Sequence, residues 1–461
     1  MMRLKFLLFI LTALLFAACN KDEEINFETD AKLSFSTDSI LFDTVFTAIG
    51  STTRRLKIYN KNPTAILINN IKLSGGNSSA FSLNINGQAT SAVDLIKING
   101  NDSINVFVKI NINPSTDNLP FIVQDSILLY FNGNKERIPL VAYGQNANFI
   151  MNNSITQNTT WNSKLPYIIY QSVSIEEGVN LTIAPGTRLF FHSNATMNVK
   201  GTLTANGTKK DSIIFTSDRL EKIYTEEPGQ WNGIHFYPSS ENSKINYAII
   251  KNGVAGITVD SLSKNASPKL VLTNTIIRNM EVVGFLGYQT DLTAFNNLFS
   301  NCGQYLMYGV GGGKYNLKQN TFVALNVNYP RKTAAVYLSD FISSTQFQNL
   351  SLEFINNIVW GNLVDEFVVD KKAPASLLNA TIKNNLLKTS QTSLASNGNI
   401  LNKDPLFVNV SALNYKLNQN SPALKKGIDL SQDLYFSTFL RKDLNNLNRV
   451  FPYEIGCYEA K

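Results

Sequence analysis

The strongest constraint on this chain is an internal repeat in its C-terminal two thirds. Aligned on one apolar position, segments recur at Ile249, Ile276, Leu298, Phe322, Ile358 and Leu386, in steps of 27, 22, 24, 36 and 28 residues. A period in the twenties with a few longer steps is what a solenoid shows when each turn adds one rung and loops lengthen some turns. Two residues before the markers stand Tyr247, Asn274, Asn296, Asn320, Asn356 and Asn384, five of them asparagine. In a stacked coil, equivalent positions lie one strand spacing apart, about 4.8 Å. Asparagine there can donate to the rung on one side, accept from the other, and tolerate the bent backbone of a corner. The expected ladder of Asn274, Asn296, Asn320, Asn356 and Asn384 is structural, not a site.

Composition narrows the class further. Of 461 residues, 44% are hydrophobic and only 16% charged, against roughly 25% charged in ordinary soluble proteins. That excludes a disordered chain, and three cysteines without a CxxC pair exclude a disulfide scaffold or a zinc site. His192 and His235 are the only histidines, too few for a multi-histidine centre, so no metal is assigned. The net charge of +7 permits an anionic partner without requiring one. No basic helix or RNA-type aromatic motif points to nucleic acid.

At the N-terminus, Arg3 and Lys5 precede an apolar run from Phe6 to Phe16, then Ala17, Ala18 and Cys19. Positive, apolar and small residues in that order make 1–18 a secretory signal, too short to span a membrane. It resembles a bacterial lipoprotein signal, although Phe16 stands where a small or aliphatic residue is preferred. The resemblance implies that Cys19 is lipidated and that outer-membrane lipid is the first partner. The tether over 19–30 carries Lys21, Asp22, Glu23 and Glu24, similar to the surface-export signal of Bacteroidota lipoproteins. It implies a protein anchored in the outer membrane and facing the exterior; a merely solvated tether is the plainer reading.

Residues 31–146 read as short strands punctuated by Gly, Asn and Pro, among them Arg55–Tyr59, Phe81–Ile85, Ile104–Ile110 and Ser126–Phe131. This predicts an antiparallel sandwich resembling the immunoglobulin-like modules of secreted bacterial proteins, and no catalytic set falls within it. We read it as a spacer. From 150 to 461, segments such as Val179–Thr187, Met197–Thr208 and Trp231–Phe236 resemble right-handed parallel β-helix proteins of the pectate-lyase-like superfamily. From about 402, Asp404–Asn409, Asn414–Leu417, Lys426–Asp429 and Glu454–Glu459 resemble a closing segment of the choice-of-anchor type. The expected fold is all-β, an Ig-like sandwich followed by a right-handed parallel β-helix. Cys302 and Cys457 read as buried small hydrophobes.

The hydrolases of that superfamily display Asn-Thr-Asp, paired Asp and Gly-His-Gly, and none is present; Asn274-Thr275-Ile276 has Ile in place of Asp. Its lyases pair a Lys or Arg base with a calcium-binding acidic cluster. The nearest equivalents are Tyr329, Arg331, Lys332 and Asp340 in the longest insertion, and Asp365, Glu366, Asp370, Lys371 and Lys372 in the loop after it. Arg331, Lys332, Asp365 and Asp370 are the catalytic candidates, against the plainer reading of solvated loop charge. Tyr224, Trp231 and Tyr329 are candidates for stacking on a sugar ring, and Glu226 with Glu227 for holding calcium. Gly309–Lys314 fails as a phosphate loop at Tyr308 and Tyr315 and reads as a flexible turn.

Asp followed by Ser or Thr and an apolar residue occurs six times, at Ser39, Thr44, Ser103, Ser126, Ser212 and Ser261, resembling the O-glycosylation acceptor of Bacteroidota. The same triplets also suit a turn entering a strand. The sequence thus predicts a non-enzymatic cell-surface lipoprotein whose coil binds extracellular material, polysaccharide or another surface protein. A polysaccharide lyase or glycoside hydrolase, and an inert stalk, are the alternatives.

Overall fold

In the computed structural model the described residues are 24–47, 49–114, 120–325, 330–372 and 378–460; Cys19 and Tyr329 lie outside them. The chain divides into two compact units, the first ending at Asn146 and the second beginning at Ala147.

The first unit is a two-sheet sandwich. One sheet contains Ile40–Phe46, Ala65–Leu73, Ala92–Ile98, Phe121–Phe131 and Asn134–Gln145; the other is built around Arg54–Asn60, Asp102–Ile110 and Phe81–Ile85. Strict alternation places Ile104, Val106, Val108 and Ile110 in the core and leaves Phe107 and Lys109 outside. Two pairings are parallel rather than antiparallel: Ile25–Asn26 on Ala65–Ile66, and Leu140–Gln145 on Ile40–Phe46.

The second unit is a parallel β-coil of three faces. Face A runs through Arg188–Phe191, Ile213–Ser217, Ala248–Lys251, Ile276–Met280, Leu298–Cys302, Thr321–Ala324, Ile358–Gly361 and Leu386–Leu387 to Ile400–Leu401. Face B includes Thr196–Val199, Gly233–Phe236, Ala255–Asp260, Val336–Ser339 and Phe367–Asp370; face C includes Thr202–Asn206, Ser243–Asn246, Leu270–Thr273, Leu350–Ile355 and Leu378–Lys383. Val283–Phe295 and Tyr305–Lys318 each serve both B and C, bending between them. Gly309–Lys314 is therefore no flexible turn. It lies within that second strand, and the bend is made at Gly311 and Gly312, whose φ of 75° and 76° place them in the left-handed region. Inside the coil, aromatic rings stack between rungs, Phe191 on Trp231 at 4.1 Å and Phe299 on Phe322 at 4.8 Å.

The corner from C to A divides the expected asparagines into two columns. Tyr247, Asn274, Asn296, Gln319, Asn356 and Asn384 take positive φ, from 47° to 59°. The next residue turns inward, giving a ladder of Thr275, Asn297, Asn320, Asn357, Asn385 and Asn399. Within it the Asn320 Oδ1 accepts from the Asn297 backbone N–H (3.0 Å) and Nδ2 (2.9 Å), while its own Nδ2 donates to Ala294 O (2.9 Å) and Asn357 Oδ1 (3.0 Å). Asn357 and Asn385 repeat the pattern, each accepting from the asparagine one rung before it and donating to the one after. Thr321, not Phe322, pairs with both Leu298 and Ile358, so the alignment slipped by one residue and moved Asn320 out of its true column. The slip has a physical cause. Face A is apolar on both sides, Phe322 pointing into the coil and Leu298, Ile358 and Leu386 pointing out, so alternation carries no register.

Those outward side chains are covered by residues 402–460, which run back along face A. Tyr415, Leu444 and Cys457 pack on Leu298 and Val323, and Leu417, Ala423 and Ile455 on Ile358 and Leu386. The corner asparagines grip the same segment. Asn296 Nδ2 donates to Phe439 O and Lys442 O (2.8 and 2.9 Å), and Asn356 exchanges two bonds with Ile428. Arg449, its side chain 1% exposed, donates to Asn296 Oδ1 (2.8 Å), Gly456 O and Glu459 Oε1. Cys302 is buried inside the coil and Cys457 between the segment and face A, and burial pushes both thiols up to about 12.

Two predictions follow from the corner and its cover. Asn320→Leu orphans Asn297 N–H and Ala294 C=O, at roughly 1–3 kcal/mol each, so its melting midpoint falls well below that of Asn384→Gly, which keeps the corner's backbone conformation; equal midpoints in thermal unfolding would overturn the assignment of columns. Burial, reinforced by a hydrogen bond with Glu454, pushes the Glu459 carboxyl up to about 8. A raised folded-state value gives stability that is complete below the ordinary carboxylate range and lost as pH rises through the folded value. The midpoint therefore declines between roughly pH 5 and 9, and Glu459→Gln flattens that slope.

Candidate ligand-binding face of the coil

Alternation along face B decides what it shows to solvent. Phe285, Met307, Val336 and Phe367 stack inward, so the following residues, Leu286, Tyr308, Tyr337 and Val368, form an outward row. Tyr305, three residues before Tyr308, folds onto it with ring centroids 4.4 Å apart and planes within 9°. Tyr337 meets both rings at an angle, at 5.6 Å from Tyr308 and 6.2 Å from Tyr305. All three are partly exposed, and Tyr288 on the neighbouring outward row is 43% exposed. The Tyr337 hydroxyl donates to Asp370 Oδ2 at 2.7 Å. Burial first, then this carboxylate, raises the Tyr337 phenol well above its ordinary value and keeps it a donor. The result is a platform of tyrosine rings with a carboxylate at its edge.

The same face carries an imidazole–carboxylate pair. His235 Nε2 lies 2.8 Å from Asp260 Oδ2, and its ring stacks on Tyr237 at 4.2 Å. A second pair, His192 Nδ1 with Asp218 Oδ2 at 2.7 Å, stacks on Tyr170; burial raises the Asp218 carboxyl. Neither pair is visible in the sequence, because each joins residues 25 or 26 apart whose proximity depends on rung register.

Of the catalytic candidates, only Asp370 joins the tyrosine platform. The Arg331 side chain is 6% exposed, and its Nη2 donates to both oxygens of Glu366, itself fully buried, at 2.6 Å; Glu366 also accepts from Leu363 and Ala335 N–H. A guanidinium so held is a structural tie, and the sequence reading of Arg331 as an accessible base is corrected. Asp365 spends its oxygens on Ser390 N (2.5 Å), Ser390 Oγ (2.9 Å) and Thr389 Oγ1, and the first of these holds it below the ordinary carboxylate value. It is a turn residue. Lys332 is exposed. Asp340 is buried and accepts from Lys372 N–H.

The sugar-stacking candidates also change. Trp231 is 0% exposed, its Nε1 donating to Lys251 O at 2.8 Å, so it packs the coil and meets no ligand. The Tyr224 ring is covered by the Arg219 guanidinium at 3.8 Å. Glu226 is engaged by Arg278, Lys251 and Asn279, Glu227 is exposed, and among the described residues no three His, Cys, Asp or Glu side chains converge. Among the six triplet hydroxyls, Ser126 is 1% exposed and accepts from Arg137, out of reach of a glycosyltransferase.

Removing one partner of the Arg331–Glu366 pair strands a buried charge. Arg331→Met should cost roughly 3–5 kcal/mol in thermal or chemical unfolding, whereas Lys332→Ala is neutral. A neutral Arg331→Met would return that residue to the list of functional candidates.

No family model matches the chain, and no curated protein matches it. Among solved structures, the pectate lyase Pel9A aligns with a TM-score of 0.32 at 13% identity, covering 68% of this chain and 88% of that one. A PapD-like domain of human CEP192 aligns with a TM-score of 0.19 at 12% identity, covering 28% of this chain and 94% of that domain. A family 123 glycoside hydrolase from Clostridium perfringens aligns with a TM-score of 0.18 at 10% identity over 27% of this chain and 30% of its own. The fold is all-β and parallel β-helix-like, as the strand pairing itself shows.

Proposed function

We propose that this protein is a non-enzymatic, cell-surface lipoprotein, anchored through Cys19, whose coil binds polysaccharide along face B. The observation that carries the reading is the cluster of Tyr305, Tyr308 and Tyr337 beside Asp370. Partly exposed rings offer apolar faces to a sugar, while the carboxylate accepts from its hydroxyls. A coil repeats its outward positions every about 4.8 Å, so the row extends in the direction a linear polymer would follow. The binding reading is favoured over cleavage because Arg331 and Asp365 are occupied in structural contacts. Anchoring and outward display rest on the N-terminal sequence.

The test uses the chain with a panel of neutral and acidic polysaccharides, followed by size-exclusion chromatography. Polymer is expected to co-elute with protein at unchanged length. Tyr308→Ala and Tyr337→Ala are each expected to weaken binding about tenfold, the equivalent of about 1.4 kcal/mol. Co-elution indifferent to both variants would remove the site. Shortened polymer would overturn the non-enzymatic reading and direct mutagenesis to His235 and Asp260.

A further inference from the structure

The sandwich carries a feature that its reading as a spacer leaves unused. On the outer side of its five-stranded sheet, a cavity of about 660 Å³ opens over Phe81–Ile85 and Asp102–Ile110, walled by the turn at Gly76–Ser79 and by Ala89–Ser91. Phe107 stands in its floor, 39% exposed, an aromatic side chain that alternation forces outward between Val106 and Val108. Its cross-strand neighbours are Asn84 on one side and, just outside the cavity's lining, Arg55 on the other; Lys109, two residues on, lines the cavity. Arg55 and Lys109 are both exposed, and neither has an ion-pair partner among the described residues.

The polar groups around the ring have a consistent sense. Asn84 Oδ1 accepts from Gly87 N–H, and Asn77 Oδ1 from Ser91 Oγ; both residues line the cavity, and neither Nδ2 has a partner among the described residues. The Thr90 hydroxyl is engaged with Ala92, and the Ser79 hydroxyl with Asp125 and Phe81. Asp125 is itself held by Gly75, Ser79 and Ser126. No residue lining the cavity is acidic. A surface of free donors and cations around one exposed ring suits a ligand rich in acceptors, with an apolar face and negative charge.

We infer that this cavity is a second carbohydrate site, specific for acidic saccharides of the uronate class: a sugar ring on Phe107, its carboxylate on Lys109 and Arg55, and its hydroxyl oxygens on Asn84 and Asn77. It is independent of the tyrosine platform and would let one chain engage an acidic polymer at a second point.

The test is calorimetric titration of the full chain with a short oligogalacturonate and with its carboxyl-reduced counterpart, at low and high salt. The Tyr308→Ala/Tyr337→Ala double variant separates this site from the coil. Binding is expected to persist in that background, to fall at least tenfold in Phe107→Ala and in Arg55→Gln/Lys109→Gln, and to weaken with salt. The reduced oligosaccharide is expected not to bind there. All three substituted side chains are exposed, so unchanged melting midpoints verify the fold. Loss of binding in the tyrosine variant alone, equal binding of the reduced sugar, or no binding at all would each overturn the inference. Indifference to Phe107→Ala and Arg55→Gln/Lys109→Gln would do the same.

Discussion

The inward corner ladder is the interaction on which the coil depends. A parallel coil turns its backbone sharply between faces, and each turn strands an N–H and a carbonyl where water cannot reach them. Asn297, Asn320, Asn357 and Asn385 resolve both, each accepting from the rung before and donating to a backbone carbonyl and to the next asparagine. A side chain with one acceptor and two donors, short enough to reach its own corner, is what that geometry requires. The preceding residue must hold positive φ, which asparagine tolerates and β-branched residues do not. Corner chemistry thereby fixes the rung register, and the register fixes every outward row.

Face A shows how the same constraint recruits the rest of the chain. With apolar residues on both sides of its strands, the face needs a cover, and residues 402–460 supply it through Tyr415, Leu417, Leu444 and Ile455. The corner asparagines left over from the ladder point toward that cover and hold its backbone. Packing and hydrogen bonding therefore reinforce one another along a single edge. On face B, Tyr305, Tyr308, Tyr337 and the His235–Asp260 pair stay partly exposed among the described residues.

The functional reading moves accordingly. Charges that look available in a linear sequence, Arg331 and Asp365 above all, are consumed in holding loops against the coil. The groups that stay at least partly exposed are the tyrosine rings and the His235–Asp260 pair on face B, and the cations beside Phe107 on the sandwich. Such surfaces suit recognition of extended, hydroxyl-rich polymers.

The parallel coil is legible in the sequence, because repeat period, asparagine corners and strand punctuation are local signals, written within each rung, and they survive without knowledge of the partner rung. Register is the exception: Thr321 and not Phe322 holds the repeat position, and hydrophobicity on both sides of face A erases the alternation that would tell them apart. Which side chains are available follows from the stacking of rungs and not from any one of them. Trp231 and Arg331 are buried, and Tyr305, Tyr308 and Tyr337 converge, because strands 20 to 40 residues apart in sequence lie side by side. Availability is a property of what stacks above and below a residue, and that depends on register and loop insertion, which no single rung encodes.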